Sequence, residues 1–199
     1  MPDRLITHLR HVDIAVPDLA KQREFFTTTW GLTAEHSDSG LTFLAAEGSP
    51  EQYVVRLREA TDKRVDLVSF GAEDAADVDT LAGRLASDGV QLVTEPGTLQ
   101  TPGGGYGFRF FDNEGRTIEV SSDVAVRQHR QIEEGESVPV RLSHVVLNST
   151  DPEGTVAFYD RHLGFSLTDT LMHPRMGNMM WFLRTNAWHQ SMVFGMCVV

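Results

Sequence analysis

Two histidines on short apolar runs are the residues best placed by type and spacing to ligate a metal or carry a proton. His11 lies in LRHVDIAVPDL and His144 in LSHVVLNSTDP, and each run leads to an aspartate able to cap a helix. The likeness goes further. His11, Asp18, Phe25 and Gly31 return in the same order and spacing as His144, Asp151, Phe158 and Gly164, each displaced by 133 positions. Glu119, in RTIEVSS, adds a carboxylate on another strand-like segment. Imidazole and carboxylate are donors that suit divalent metals. A histidine on an apolar strand is more often a core residue bonded to a backbone group, so the repeat is what singles these two out. His8, His36, His129, His162 and His173 lie in polar settings without ligand spacing.

The elements that must position these residues follow from the pattern. Residues 9–16 alternate enough for a half-buried strand, and Pro17-Asp18 starts a helix. Leu19, Phe26 and Trp30 fall at helical spacing up to Gly31, where a left-handed cap is expected. Strands follow at 41–45 and 53–57. A second unit has a strand at 65–70 and then a helix with Glu73, Asp74 and Asp77 in its first turn. Val78, Leu81 and Leu85 form its buried stripe, and it ends at Gly89. Strands at 107–111 and 117–121 flank the turn Asp112-Asn113-Glu114-Gly115. Residues 123–139 are polar and read as a surface connection. The third unit runs from Arg141, with Asp151 as N-cap, Pro152 at the first helical position, and Pro152, Val156, Tyr159 and Leu163 on one helix face. Strands at 180–184 and 191–194 follow, and SMVFGMCVV is expected to form an apolar edge strand that recruits another chain.

Composition narrows the function classes. A net charge of -11 disfavours nucleic acid and anionic membrane as partners, which leaves a small molecule as the default. No apolar run approaches the roughly 18 residues of a membrane helix, and the N-terminal stretch lacks a signal-peptide centre, so a cytoplasmic protein is expected. The single cysteine, Cys197, rules out an internal disulfide. Gly103-Gly104-Gly105 precedes a strand and lacks the lysine of a phosphate loop, so it reads as a flexible loop. Met172, Met176, Met179, Met180 and Trp181 read as adaptable packing rather than a substrate cage.

A strand-helix-strands unit used in pairs, with a histidine on the opening strand and an acidic residue on the closing one, resembles the vicinal oxygen chelate superfamily of glyoxalases, bleomycin resistance proteins and dioxygenases. FDNEGRTIEV is similar to that superfamily's closing hairpin. LSHVVLNSTDPEGTVAFYDRHLGF after a linker is most similar to the type I extradiol ring-cleavage dioxygenases. The resemblance implies an α+β fold of paired βαβββ modules, three of them present. These are an N-terminal domain of two modules over residues 1–125, a linker over 126–140, and the first half of a C-terminal catalytic-type domain over 141–199.

The resemblance also implies an oxidoreductase of aromatic catabolism, a catechol 2,3-dioxygenase homologue that opens a catecholic ring with O2 as co-substrate. Its metal would be Fe(II) or Mn(II) in a site of two histidines and one glutamate. His144 matches the first histidine ligand. The second histidine and the glutamate belong to a fourth module that has no match in this sequence, so the isolated chain is expected to be incomplete, and the cofactor is expected only where those ligands are supplied. NAWHQSMVF resembles the strand with the acid-base histidine, which puts His189 in that role, with Gln190 the alternative one residue along. A strand turns only one of them to a cavity. His11 and Glu119 match two ligands of a superfamily metal site, with Leu67 where the second histidine would fall, so both are expected to be structural. The partners implied are a small catechol-type aromatic and a second copy of the chain. Two alternatives stand beside this reading: a metal-free small-molecule binding module of the bleomycin-resistance type built from residues 1–125, and a glyoxalase-type lyase or isomerase that uses His11 and Glu119 with ligands from a partner subunit.

Overall fold

A computed structural model describes residues 4–38, 40–186 and 191–196. The strand-helix-strands unit occurs three times. The first comprises β1 (Ile6–Val16), α1 (Leu19–Glu24), β2 (Thr33–Asp38), β3 (Leu41–Ala45) and β4 (Val55–Glu59). The second comprises β5 (Arg64–Ala72), α2 (Ala75–Ser87), β6 (Leu92–Thr98), β7 (Tyr106–Phe111) and β8 (Thr117–Ser122). The third comprises β9 (Val145–Ser149), α3 (Pro152–Leu163), β10 (Ser166–His173), β11 (Gly177–Arg184) and β12 (Met192–Met196). This is the α+β arrangement of βαβββ modules that the sequence implies.

Each helix begins where an aspartate side chain accepts a backbone N–H three residues on: Asp18 from Lys21, Asp74 from Asp77 and Asp151 from Gly154. α3 stops at Gly164, whose φ of 72° is open to glycine at little cost. α1 departs from expectation, because it ends at Glu24 and widens into a π-helical turn over Phe25–Thr29. The hydroxyls of Thr27 and Thr28 donate back to the carbonyls of Arg23 and Glu24, which competes with the regular ladder. Trp30 is consequently 56% exposed instead of buried.

The first two units share an eight-stranded sheet in the order β2-β3-β4-β1-β5-β8-β7-β6, and the third forms a four-stranded sheet in the order β10-β11-β12-β9. Their seam is the antiparallel pair β1 and β5, with Val12 opposite Val68, His11 opposite Ser69 and Asp13 opposite Leu67. That register is symmetric about Val12 and Val68. It relates His11 to Leu67 and Asp13 to Ser69 by a local two-fold. β4 lies parallel beside β1 and β12 parallel beside β9, so the third sheet repeats half of the larger one. SMVF is therefore not an edge. β12 is flanked by β11 and β9, and the edge strands of this sheet, among the described residues, are β10 and β9.

Apolar burial joins the units. α2 buries Val78, Leu81 and Leu85, as its spacing predicts. On the third unit Tyr159 is fully buried, with its ring 4.9 Å from Phe194 and 5.5 Å from Phe165, and Phe165 in turn lies 5.3 Å from Phe70 of β5. The third unit thus shares a core with the second. Residues 123–144 hold neither helix nor strand; Ala125 N donates to Gly103 O of the second unit, and Arg127 pairs with Glu35 of the first. The glycine loop is tightly fitted: a Cβ on Gly105 would lie 2.7 Å from Ser122 O. Met172 and Met176 are exposed, whereas Trp181 is buried under α3's face of the sheet, so the methionine run is only partly packing.

The turn between β7 and β8 locks the third unit in place. Asp112, 5% exposed, accepts the N–H groups of Glu114 and Arg116 within the turn, pairs with Arg116 Nη1 at 2.8 Å and accepts Tyr159 O–H at 3.3 Å. Glu114 Oε1 accepts Thr150 N at 2.7 Å and Thr150 Oγ1 at 2.6 Å, beside the start of α3, while Arg116 donates to Asn148 O. A carboxylate at a helix N-terminus also meets the positive end of the helix dipole. Glu114→Ala should therefore destabilise the chain by about 1–3 kcal/mol, read as a lower urea midpoint with an unchanged far-ultraviolet spectrum.

Candidate functional site

The concave face of the eight-stranded sheet gathers His11 and Asp13 from β1, Arg56 from β4, Ser69 from β5, Arg109 from β7 and Glu119 from β8. His11 Nδ1 lies 3.0 Å from Asp13 Oδ1, and His11 Nε2 lies 3.4 Å from Glu119 Oε1. Glu119 Oε2 accepts from Arg109 at 2.8 Å, and Ser69 donates to Glu119 Oε1 at 3.0 Å. Arg56 Nη2 reaches Asp13 Oδ2 at 2.6 Å. His11 and Glu119 are 4% and 1% exposed, so these charges are held by one another and not by water. Burial disfavours the charged imidazole, but the charge and hydrogen bond of Asp13, followed by those of Glu119, overcome it and raise the His11 pKa. Burial also opposes the ionised Glu119, yet the His11 hydrogen bond and charge, then Arg109, bring its carboxyl down to about 2.

The local two-fold explains why this constellation is filled. Arg56 stands opposite Asp13 as Glu119 stands opposite Ser69, so Arg56 is the counterpart of Glu119 and Leu67 the counterpart of His11. An aliphatic side chain and a cation occupy two of four equivalent places, and the cavity beside His11 measures about 10 Å³. His11 and Glu119 are both engaged by neighbouring side chains, and the space beside them is too small for a bound aromatic. A larger cleft is lined in part by His8, Arg10 and Glu51 of the same N-terminal pair.

His144 has different surroundings. It lies immediately before β9, not within it, and is exposed. Val145, Leu147 and Ser149 turn inward beneath α3, whereas Val146 and Asn148 are exposed on the opposite face, and strand alternation assigns His144 to that open set. Its Nδ1 is 3.1 Å from Ser143 Oγ. His144 and Ser143 line one wall of a cleft of about 690 Å³, with His8, Arg10 and Glu51 on another. His8 Nε2 is 2.8 Å from Glu51 Oε1, and Arg10 Nη1 is 2.5 Å from Glu51 Oε2. Burial raises the Glu51 carboxyl, but His8 and Arg10 more than offset it and lower its pKa. The sequence reading passed over His8, because its partner is 43 residues away and no local spacing announces the pair.

Among the described residues no group of three His, Cys, Asp or Glu could hold a metal ion. A site of two histidines and a carboxylate therefore does not fit these residues as they stand, with His144 its one matched donor. His189, expected to move protons, and its alternative Gln190 lie outside the described residues.

The filled face generates a prediction about pH. Glu119 contributes stability fully above its ordinary value of 4.5 and loses it as pH falls toward 2. His11 contributes fully below its ordinary value of 6.5 and loses it as pH rises through the raised folded value. Melting temperature should be highest between those limits and fall on both sides. Glu119→Ala should cost ~3–5 kcal/mol by stranding His11 and Arg109 and should remove the acid limb of the melting profile followed by circular dichroism.

Comparison with known proteins agrees with the fold and places the chain. The profile of the Glyoxalase/Bleomycin resistance protein/Dioxygenase superfamily matches residues 8–120 and 141–194. The manganese-dependent 2,3-dihydroxybiphenyl 1,2-dioxygenase of Geobacillus genomosp. 3 is 25% identical over 179 residues, 82% of this chain and 55% of that protein. The iron-dependent extradiol dioxygenase of Rhodococcus jostii (strain RHA1) is 26% identical over 212 residues, 95% of this chain and 67% of that protein. The chain thus spans between about half and two thirds of these relatives. Among solved structures, the Mn(II)-bound glyoxalase from Novosphingobium aromaticivorans superposes with a TM-score of 0.90 at 38% identity, over 96% of this chain and 62% of that one. Homoprotocatechuate 2,3-dioxygenase from Arthrobacter globiformis shares the fold, with a TM-score of 0.83 at 20% identity over 99% of this chain and 62% of that one. With a symmetric module seam, a repeated histidine strand and a profile match across both sheets, the chain belongs to the Glyoxalase/Bleomycin resistance protein/Dioxygenase superfamily.

Proposed function

We propose that the chain serves an extradiol ring-cleaving dioxygenase acting on a catechol-type aromatic with O2, and that His144 is one ligand of its divalent metal. The observation that carries this reading is the contrast between the two repeated histidines. His11 is locked between two carboxylates, whereas His144, at the corresponding place in the third module, stands exposed at a large cleft with a nitrogen free to bind. Iron- and manganese-dependent relatives make Fe(II) or Mn(II) the expected ion. The described residues supply one imidazole, so the remaining donors, and the proton-transferring group for which His189 is the candidate, come from beyond them.

In this reading residues 1–125 are scaffold, 126–140 connect, and 141–199 form half of the reacting domain. The protein would work in the cytoplasm as a homo-oligomer. None of the described helices is long and apolar enough to cross a membrane. The 38% identity to a Mn(II)-bound glyoxalase favours a second reading, a glyoxalase-type lyase or isomerase that uses His11 and Glu119 with ligands from a partner subunit.

Anaerobic reconstitution with Fe(II) or Mn(II), metal analysis, and an assay for yellow product from catechols test the proposal. Metal uptake should fall at least about tenfold in His144→Ala, with ring cleavage lost. Metal uptake retained in full by His144→Ala would overturn the assignment. Activity on a glutathione thiohemiacetal without ring cleavage would move it to the second reading.

A further inference from the structure

We infer that the small closed cavity beside His11 holds one internal water, hydrogen-bonded to Arg10 Nε, Tyr53 Oη and Ser121 Oγ. The site belongs to the N-terminal pair alone and does not rest on ring cleavage. The cavity measures about 10 Å³, and every residue that lines it falls between positions 10 and 124. Leu99, Thr101 and Pro102 cover it from the connection between β6 and β7. Gly103 lets that connection settle onto the sheet, because a Cβ there would collide with Gln52 Cγ.

Arg10 reaches the cavity through a bulge. β1 pairs Leu9 with Phe70 and His11 with Ser69, which leaves Arg10 as the extra residue. Neighbours on a regular strand face opposite sides, whereas here Arg10 and His11 both line the cavity. Nη1 of Arg10 donates to Glu51 Oε2 and Nη2 to Ser121 O, so the guanidinium is fixed, and its buried Nε–H finds no acceptor among the described residues. Tyr53 is 3% exposed and Ser121 fully buried, and their hydroxyls also lack a hydrogen bond among the described residues. Thr101 acts on the Tyr53 hydroxyl from outside hydrogen-bond geometry. A buried polar group left unpaired is costly. Three of them around one cavity point to a guest that all three share.

Size and charge select the guest. The volume lies at the lower bound for a single water and excludes anything larger. Water accepts from Arg10 Nε and can donate to, or accept from, each hydroxyl, which satisfies all three groups. A halide could only accept, and the carboxylates of Glu51 and Glu119 on the cavity wall oppose it. Burial, and then the charges of Asp13 and Glu119, raise the Tyr53 pKa, as a negative field at its oxygen requires. The same field disfavours an anion and tolerates a neutral guest.

A high-resolution crystal structure of the chain, with a bromide soak to separate water from a halide, tests the inference together with urea denaturation of Ser121→Ala. One density peak within hydrogen-bonding distance of Arg10 Nε, Tyr53 Oη and Ser121 Oγ, without bromide anomalous scattering, is expected. Ser121→Ala should lower the folding equilibrium constant by about fivefold to tenfold, because it removes one of the water's partners. A dry cavity reverses the sign, since the variant then discards a hydroxyl that nothing satisfies. No peak, a bromide signal at the site, or a Ser121→Ala urea midpoint equal to or above the parent's would each overturn the inference.

Discussion

A βαβββ sheet buries one face under its helix and leaves its other face and one strand edge to be completed by another sheet of the same kind. That constraint governs the whole chain. In the N-terminal pair it is met at the β1–β5 seam, and the concave surface closes over charged residues that would be costly to bury singly. In the third module the helix side is complete, with Tyr159, Phe165 and Phe194 sealed together, while the opposite side presents Val146, Leu171 and His144 to solvent. Closure and exposure of the same sheet position therefore separate a structural histidine from a chemically available one.

Filling the N-terminal face uses reciprocal charges, not apolar packing. Asp13 and Glu119 hold His11 between them, and Arg56 and Arg109 balance the carboxylates from flanking strands. Such an array is sensitive to the loss of any member, since the residue left behind is a buried unpaired charge. Rigidity here has a consequence for the third module. Glu119 sits on β8, and the turn that leads into β8 carries Asp112, Glu114 and Arg116, which fix the start of α3 and the end of β9. The scaffold thus orients the strand that follows His144.

Much of this was legible in the residues themselves. Asp18 and Asp151 announced their helices because a capping carboxylate needs only its own next turn, whereas Asp74, expected inside the first turn with Glu73, is the cap itself and Glu73 precedes the helix. The strands that went unread are β2, β6 and β10, each at the outer edge of its sheet. LVTEPGT and SLTDTLMH hold no fully buried residue, and TAEHSD is polar but for one alanine, so little apolar alternation betrays them. The π-helical turn after Glu24 depends on threonine hydroxyls competing for carbonyls, which helical spacing does not register. At the site, His11 and His144 were identified by repetition and Glu119 and Leu67 by the family resemblance, but Asp13, Arg56 and Arg109 were not. Their role comes from strand register across the seam, which no short stretch of sequence contains.

Chemical acylation of imidazoles, located by mass spectrometry, measures most directly whether the two repeated histidines differ in access. The account predicts rapid modification of exposed His144 and protection of His11, which is 4% exposed and set between Asp13 and Glu119, until the chain unfolds. Equal rates at the two positions would contradict it.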